Sequence, residues 1–66
     1  MTSLLIKAED EIMKAKYKGL SEQDILRISK KRVFQLKSKD LLSIKDTKKI
    51  ELYNQIIKII EKKGKN

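Results

Sequence analysis

The groups in this chain that could do chemistry are cations. Arg27, Lys30, Lys31, Arg32, Lys37, Lys39, Lys45, Lys48 and Lys49 fall within residues 27–49, opposed there only by Asp40 and Asp46. Nine minus two leaves +7 of a formal net charge of +8, while residues 1–26 come to −1 and residues 50–66 to +2. A bias toward lysine in the underlying composition would spread the charge evenly, so confinement to one stretch points to a basic face that attracts polyanions. Ammonium and guanidinium groups bind phosphates; the Arg32 guanidinium and the Gln35 carboxamide could also hydrogen-bond guanine or adenine edges. Any one of these lysines, taken singly, reads as a solvated surface charge. Only the clustering argues for a contact face.

The residues that are missing narrow the chemistry further. There is no Cys, His, Trp or Pro, and Gly occurs only at positions 19 and 64. Disulfides and the usual zinc sites need Cys or His, general bases near neutral pH are most often His, and phosphate loops need clustered Gly. The expectation is a binding protein without a cofactor, not an enzyme. After Leu4, Leu5 and Ile6 the charged Lys7 and Glu9 to Glu11 interrupt the apolar run, which is too short for a secretory or membrane-spanning segment. A cytoplasmic protein that does not enter membranes is expected.

Sixty-six residues allow one core, so residues 1–63 read as one domain and residues 64–66 as a short polar tail. Tyr17, Phe34 and Tyr53 are the only aromatics. Leu and Ile must therefore supply most of the core, with these three rings expected to join it rather than to stack on single-stranded bases. Strand-like alternation is scarce, so the fold class is all-α, a small domain of three to four helices.

A first helix is predicted from about Ser3 to Lys18, capped by Thr2 or Ser3 and stopped at Gly19. Leu5, Ala8, Ile12 and Ala15 make one apolar seam, and Ile6, Met13 and Tyr17 a second about 100° away, which suggests burial on two sides and a dimer. Ser21 caps a second helix with Asp24 in the reciprocal position of a capping box. A last helix, capped by Asp46 or Thr47 and ended at Gly64, carries Ile50, Leu52, Tyr53, Ile56, Ile57, Ile59 and Ile60 over half its circumference. So wide a face exceeds what three helices need, and the surplus is read as a dimer surface.

The second element admits two readings. One helix could run from Glu22 to about Lys39, with Ile25, Leu26, Ile28, Val33 and Leu36 on one broad face and Phe34 on the other side. Alternatively the chain breaks near Ile28 and Ser29, and Ser29 caps a short helix from Lys30 to about Lys39 with Lys30, Lys31 and Arg32 at its positive N-terminus. Residues Ile28-Ser29-Lys30-Lys31-Arg32-Val33-Phe34-Gln35-Leu36-Lys37 resemble the turn and recognition helix of helix-turn-helix DNA-binding proteins, and Gly19-Leu20-Ser21 through Ile25 resembles the entry to the preceding helix. The interval is about three residues short of that family's usual pattern, and its turn glycine is absent. The resemblance covers about 20 residues and implies a dimeric DNA-binding domain.

The functional expectation is thus a small basic DNA-binding protein, a transcriptional or replication regulator of phage or plasmid type, with RNA as an alternative polyanion. Its contacts would come from residues 27–49, including Gln35 between the cations. The competing expectation is a helical adaptor or inhibitor that covers an acidic surface on a larger protein.

Overall fold

A computed structural model describes residues 3–63, so the expectations at Thr2, at Gly64 and over the 64–66 tail lie outside the described residues. Three helices pack together: α1 (Leu4–Tyr17), α2 (Glu22–Lys37) and α3 (Ile44–Lys63), with no strand among the described residues. No helix among them is long and apolar enough to cross a membrane.

Each helix begins on a serine. The Ser3 Oγ accepts from the Ile6 N–H and starts α1. At its other end the Gly19 N–H donates to the Lys16 carbonyl and the Leu20 N–H to the Ala15 carbonyl, while Gly19 sits at φ +92°. That pair of bonds closes the helix in the Schellman manner, and only glycine adopts the required left-handed backbone cheaply. Ser21 and Asp24 then form the expected capping box of α2.

Through Ile28 and Ser29 α2 is unbroken, which settles the two readings in favour of the continuous helix. Ser29 does not cap a recognition helix. It lies in line with Ile25 and Val33 on the buried side of α2, only 2% exposed. The small hydroxyl fits a helix-packing position, and with neither Pro nor Gly nearby nothing stops the backbone ladder there. The helix ends at Lys37, two residues earlier than expected, where the Ser38 hydroxyl donates to the Phe34 carbonyl.

The start of α3 also differs from expectation. The cap is Ser43, three residues before Asp46: the Asp46 N–H donates to the Ser43 Oγ and the Ser43 N–H to an Asp46 carboxylate oxygen. The Ser-x-x-Asp spacing of Ser21 and Asp24 thus recurs at Ser43 and Asp46.

Leu4 and Lys7 face Lys48 and Leu52 across one groove, whereas Ser21 and Leu26 face Ile60 and Lys63 across another. Hence α1 and α3 run in the same direction and α2 runs against them. The core joins Ala8 and Ile12 of α1, Ile25 of α2, and Ile56 and Ile60 of α3, with Leu20, Leu26, Leu52, Tyr53 and Ile59 packed around it. All seven apolar residues expected on α3 are buried or half-buried. Their width serves two neighbours of the same chain, because α3 packs along both α1 and α2 while α1 and α2 barely touch each other. The other apolar seam of α1 is the open one: Ile6, Met13 and Tyr17 all face solvent.

Candidate nucleic-acid interface

All ten residues expected to contact nucleic acid, Arg27, Lys30, Lys31, Arg32, Gln35, Lys37, Lys39, Lys45, Lys48 and Lys49, are exposed. They do not form one surface. At 3.6 residues per turn, Arg27, Lys30, Lys31, Phe34 and Lys37 share an arc of about 120° on α2, turned away from Ile25, Ser29 and Val33. From Arg27 to Lys37 the arc is about 15 Å long. Gln35 borders it, one turn after Lys31. Arg32 lies on the same side of the arc as Gln35 but about 60° further round, about 100° past Lys31, so only Gln35 of the pair expected to read base edges adjoins the phosphate-binding cations.

The remaining cations gather where α2 hands over to α3. The Lys39 ammonium donates to an Asp46 carboxylate oxygen at 3.2 Å. Lys48 and Lys49 line a groove of about 300 Å³ together with Leu4, Lys7, Glu51 and Leu52. Lys7 was not among the expected contacts, since α1 and α3 are far apart in sequence and only their shared direction brings it there. Around this end of the bundle Leu41 and Ile44 are 88% and 77% exposed.

Ion pairing decides which cations are available. Among the described residues only Lys30 and Lys39 of the ten have a carboxylate within reach, Lys30 at 3.6 Å from Glu61 and Lys39 at 3.2 Å from Asp46. The Lys30 pair is fully at the surface, where such contacts contribute little and yield to a competing phosphate, whereas the Asp46 partner of Lys39 is half-buried. Arg27 and Lys31, one turn apart on the arc, have no acidic partner among the described residues. Asp46 is different: the Ser43 backbone N–H above all, then the Lys39 ammonium, hold its carboxyl below the usual carboxylate value. It is committed to starting α3.

The aromatic residues depart most from expectation. Tyr53 packs against the core, but Phe34 is 74% exposed and Tyr17 is 89% exposed. The reason is helical register. On an unbroken α2, Phe34 falls off the Ile25, Ser29 and Val33 stripe, as the continuous reading implied, and neither α1 nor α3 reaches around to cover it. Its nearest neighbours on the helix surface are Lys30, Lys31 and Lys37, each three or four residues away. This combination of ring and cations was overlooked at the sequence level, although the spacing itself carries the signal once the helix is known to continue.

No family model, curated protein or solved structure matches the chain, so its functional reading rests on the arrangement of its own side chains.

Proposed function

We propose that this protein binds nucleic acid, DNA in the first instance, through the outward arc of α2. One observation carries the reading: Arg27 and Lys31 stand exposed and without an acidic partner among the described residues, on the same arc as Lys30 and Lys37. Four cations at helical spacing along about 15 Å suit consecutive phosphates, and phosphate contacts supply affinity without sequence choice. Gln35 at the edge of the arc is the side chain placed to add base contacts. In this reading a continuous helix lies along the nucleic acid, in place of a helix-turn-helix, and the protein regulates transcription or replication in the cytoplasm by occupying its site.

Self-association belongs to the same proposal. Ile6, Met13 and Tyr17 repeat along the outer side of α1, with Asp10 completing a 4-3-4 spacing. Paired antiparallel with a second α1, this seam sets Ile6 against Tyr17 and Asp10 against Met13, and brings Glu9 near Lys16 of the other copy. A parallel pair would stack Asp10 on itself. The antiparallel arrangement keeps the two Asp10 carboxylates apart, and its flanks set Glu9 near Lys16 on one side and Lys7 near Lys14 on the other.

The test is a titration of a fluorescently labelled oligonucleotide at several salt concentrations. Binding that weakens steeply as salt rises supports the reading, and no binding at 50 mM salt refutes it. One feature favours a second reading, an adaptor or inhibitor bound to an acidic protein surface. Leu41, Leu42 and Ile44 are exposed between Lys37, Lys39, Lys45, Lys48 and Lys49, and apolar anchors within a basic rim suit a protein partner. Capture of one partner that persists after nuclease treatment, with no affinity for purified nucleic acid, would establish that reading instead.

A further inference from the structure

We infer that the ligand of the α2 arc is nucleic acid with unpaired bases, and that Phe34 is the side chain on which a base stacks; this rests on the nucleic-acid reading above. Phe34 is 74% exposed on the solvent side of a continuous helix, with Lys30, Lys31 and Lys37 as its immediate surface neighbours and Arg27 two turns away. A phosphate-binding surface gains nothing from a bare phenyl ring, which can neither donate a hydrogen bond nor carry charge. Duplex DNA hides its base faces within the stack and offers such a ring only the thymine methyl group in the major groove, a smaller apolar contact than a base face.

A single strand changes the balance. Its base faces are accessible, and one aromatic platform flanked by cations lets the backbone run over the lysines while a base lies on the ring. Stacking is indifferent to base identity, so the preference is for strandedness rather than sequence. DNA and RNA single strands share this chemistry. Arg27 and Lys31 supply the charge on one side of Phe34, and Lys37 on the other.

The experiment compares wild type, Phe34→Ala, Phe34→Trp and Arg27→Ala/Lys31→Ala against a labelled 12-mer in three forms: single-stranded DNA, single-stranded RNA and duplex DNA. Wild type should prefer both single strands to the duplex, and Phe34→Ala should lose about 5- to 150-fold on single strands, the contribution of one stacked base, while duplex binding stays unchanged. Because the chain has no Trp, Phe34→Trp installs a unique fluorophore; it should retain affinity and show emission quenched by single strands but not by the duplex. A larger loss on RNA than on DNA, or the reverse, identifies which single strand is preferred. The Arg27→Ala/Lys31→Ala variant should weaken all three. Equal loss on every ligand after Phe34→Ala, or a wild-type preference for duplex, overturns the stacking inference and leaves the nucleic-acid reading standing. If wild type binds none of the three, both fall. Circular dichroism of Phe34→Ala should be unchanged, as expected of an exposed side chain, and a shift in its sedimentation from dimer to monomer would reassign the ring to a subunit interface and overturn the inference.

Discussion

Removing Arg27 and Lys31 together is the sharpest perturbation of the proposed interface. Both side chains are exposed and neither holds a carboxylate among the described residues, so Arg27→Ala/Lys31→Ala should leave the fold intact. Each phosphate neutralised on a single strand contributes about −0.7 to the slope of log affinity against log salt. Four cations on the arc give about −2.8, and the double variant should retain about half, near −1.4. Over a rise from 50 to 200 mM salt, wild-type affinity then falls about 50-fold and that of the variant about 7-fold. Anisotropy titrations at four salt concentrations resolve the difference. Lys14→Ala/Lys18→Ala removes the same charge from the outer side of α1, the helix that barely touches α2, and should change the slope little. If the control flattens the slope as much as the Arg27 and Lys31 variant does, the affinity comes from net charge and the arc has no special part. A double variant with the wild-type slope would refute the interface outright.

Other consequences of the structure can be checked directly. Ile56, 3% exposed at the centre of the core, should cost about 2 to 5 kcal/mol when replaced by Ala. A domain of this size has a total stability of about 3 to 10 kcal/mol, so Ile56→Ala should be marginal or unfolded in urea titration, while Leu41→Ala should shift the midpoint little. The folded Asp46 carboxyl is held below its ordinary value of 3.8, so its contribution is complete above that pH and is lost as pH falls through the lower folded value. Thermal midpoints of wild type should therefore fall more steeply than those of Asp46→Asn below about pH 4, and parallel curves would contradict the cap. Met13→Glu places charge in the open seam of α1 and should abolish self-association in sedimentation equilibrium. A wild type that stays monomeric at millimolar concentration would rule out the α1 pairing.

Helices were legible in the sequence wherever a local device marks them. Ser3, Gly19 and the Ser21 to Asp24 box mark their boundaries because capping chemistry involves residues only three or four apart. The apolar half of α3 was legible for the same reason, being one helix's own periodicity. What that face packs against was not. It depends on α1 and α3 running in the same direction with α2 between them in sequence, a relation of residues some 45 positions apart. The Ser43 cap was missed although its spacing repeats that of Ser21, since Asp46 could serve equally as a cap itself. In the candidate interface, the cations were visible as a cluster in sequence, but their division between α2 and the loop end follows from register. Phe34 was assigned to the core by its chemistry and brought to the surface by geometry.

The position of α3 as the helix that both others rest on has a consequence for synthesis. Because α1 and α2 make so little contact, they leave the ribosome with nothing to fold upon. At about 5 to 20 residues per second, the 20 residues of α3 take about one to four seconds to add. During that interval the nascent hairpin exposes Ile12 and Ile25 to solvent, and chaperones or a neighbouring nascent chain can reach them. The last helix made is thus the one that ends the vulnerable period.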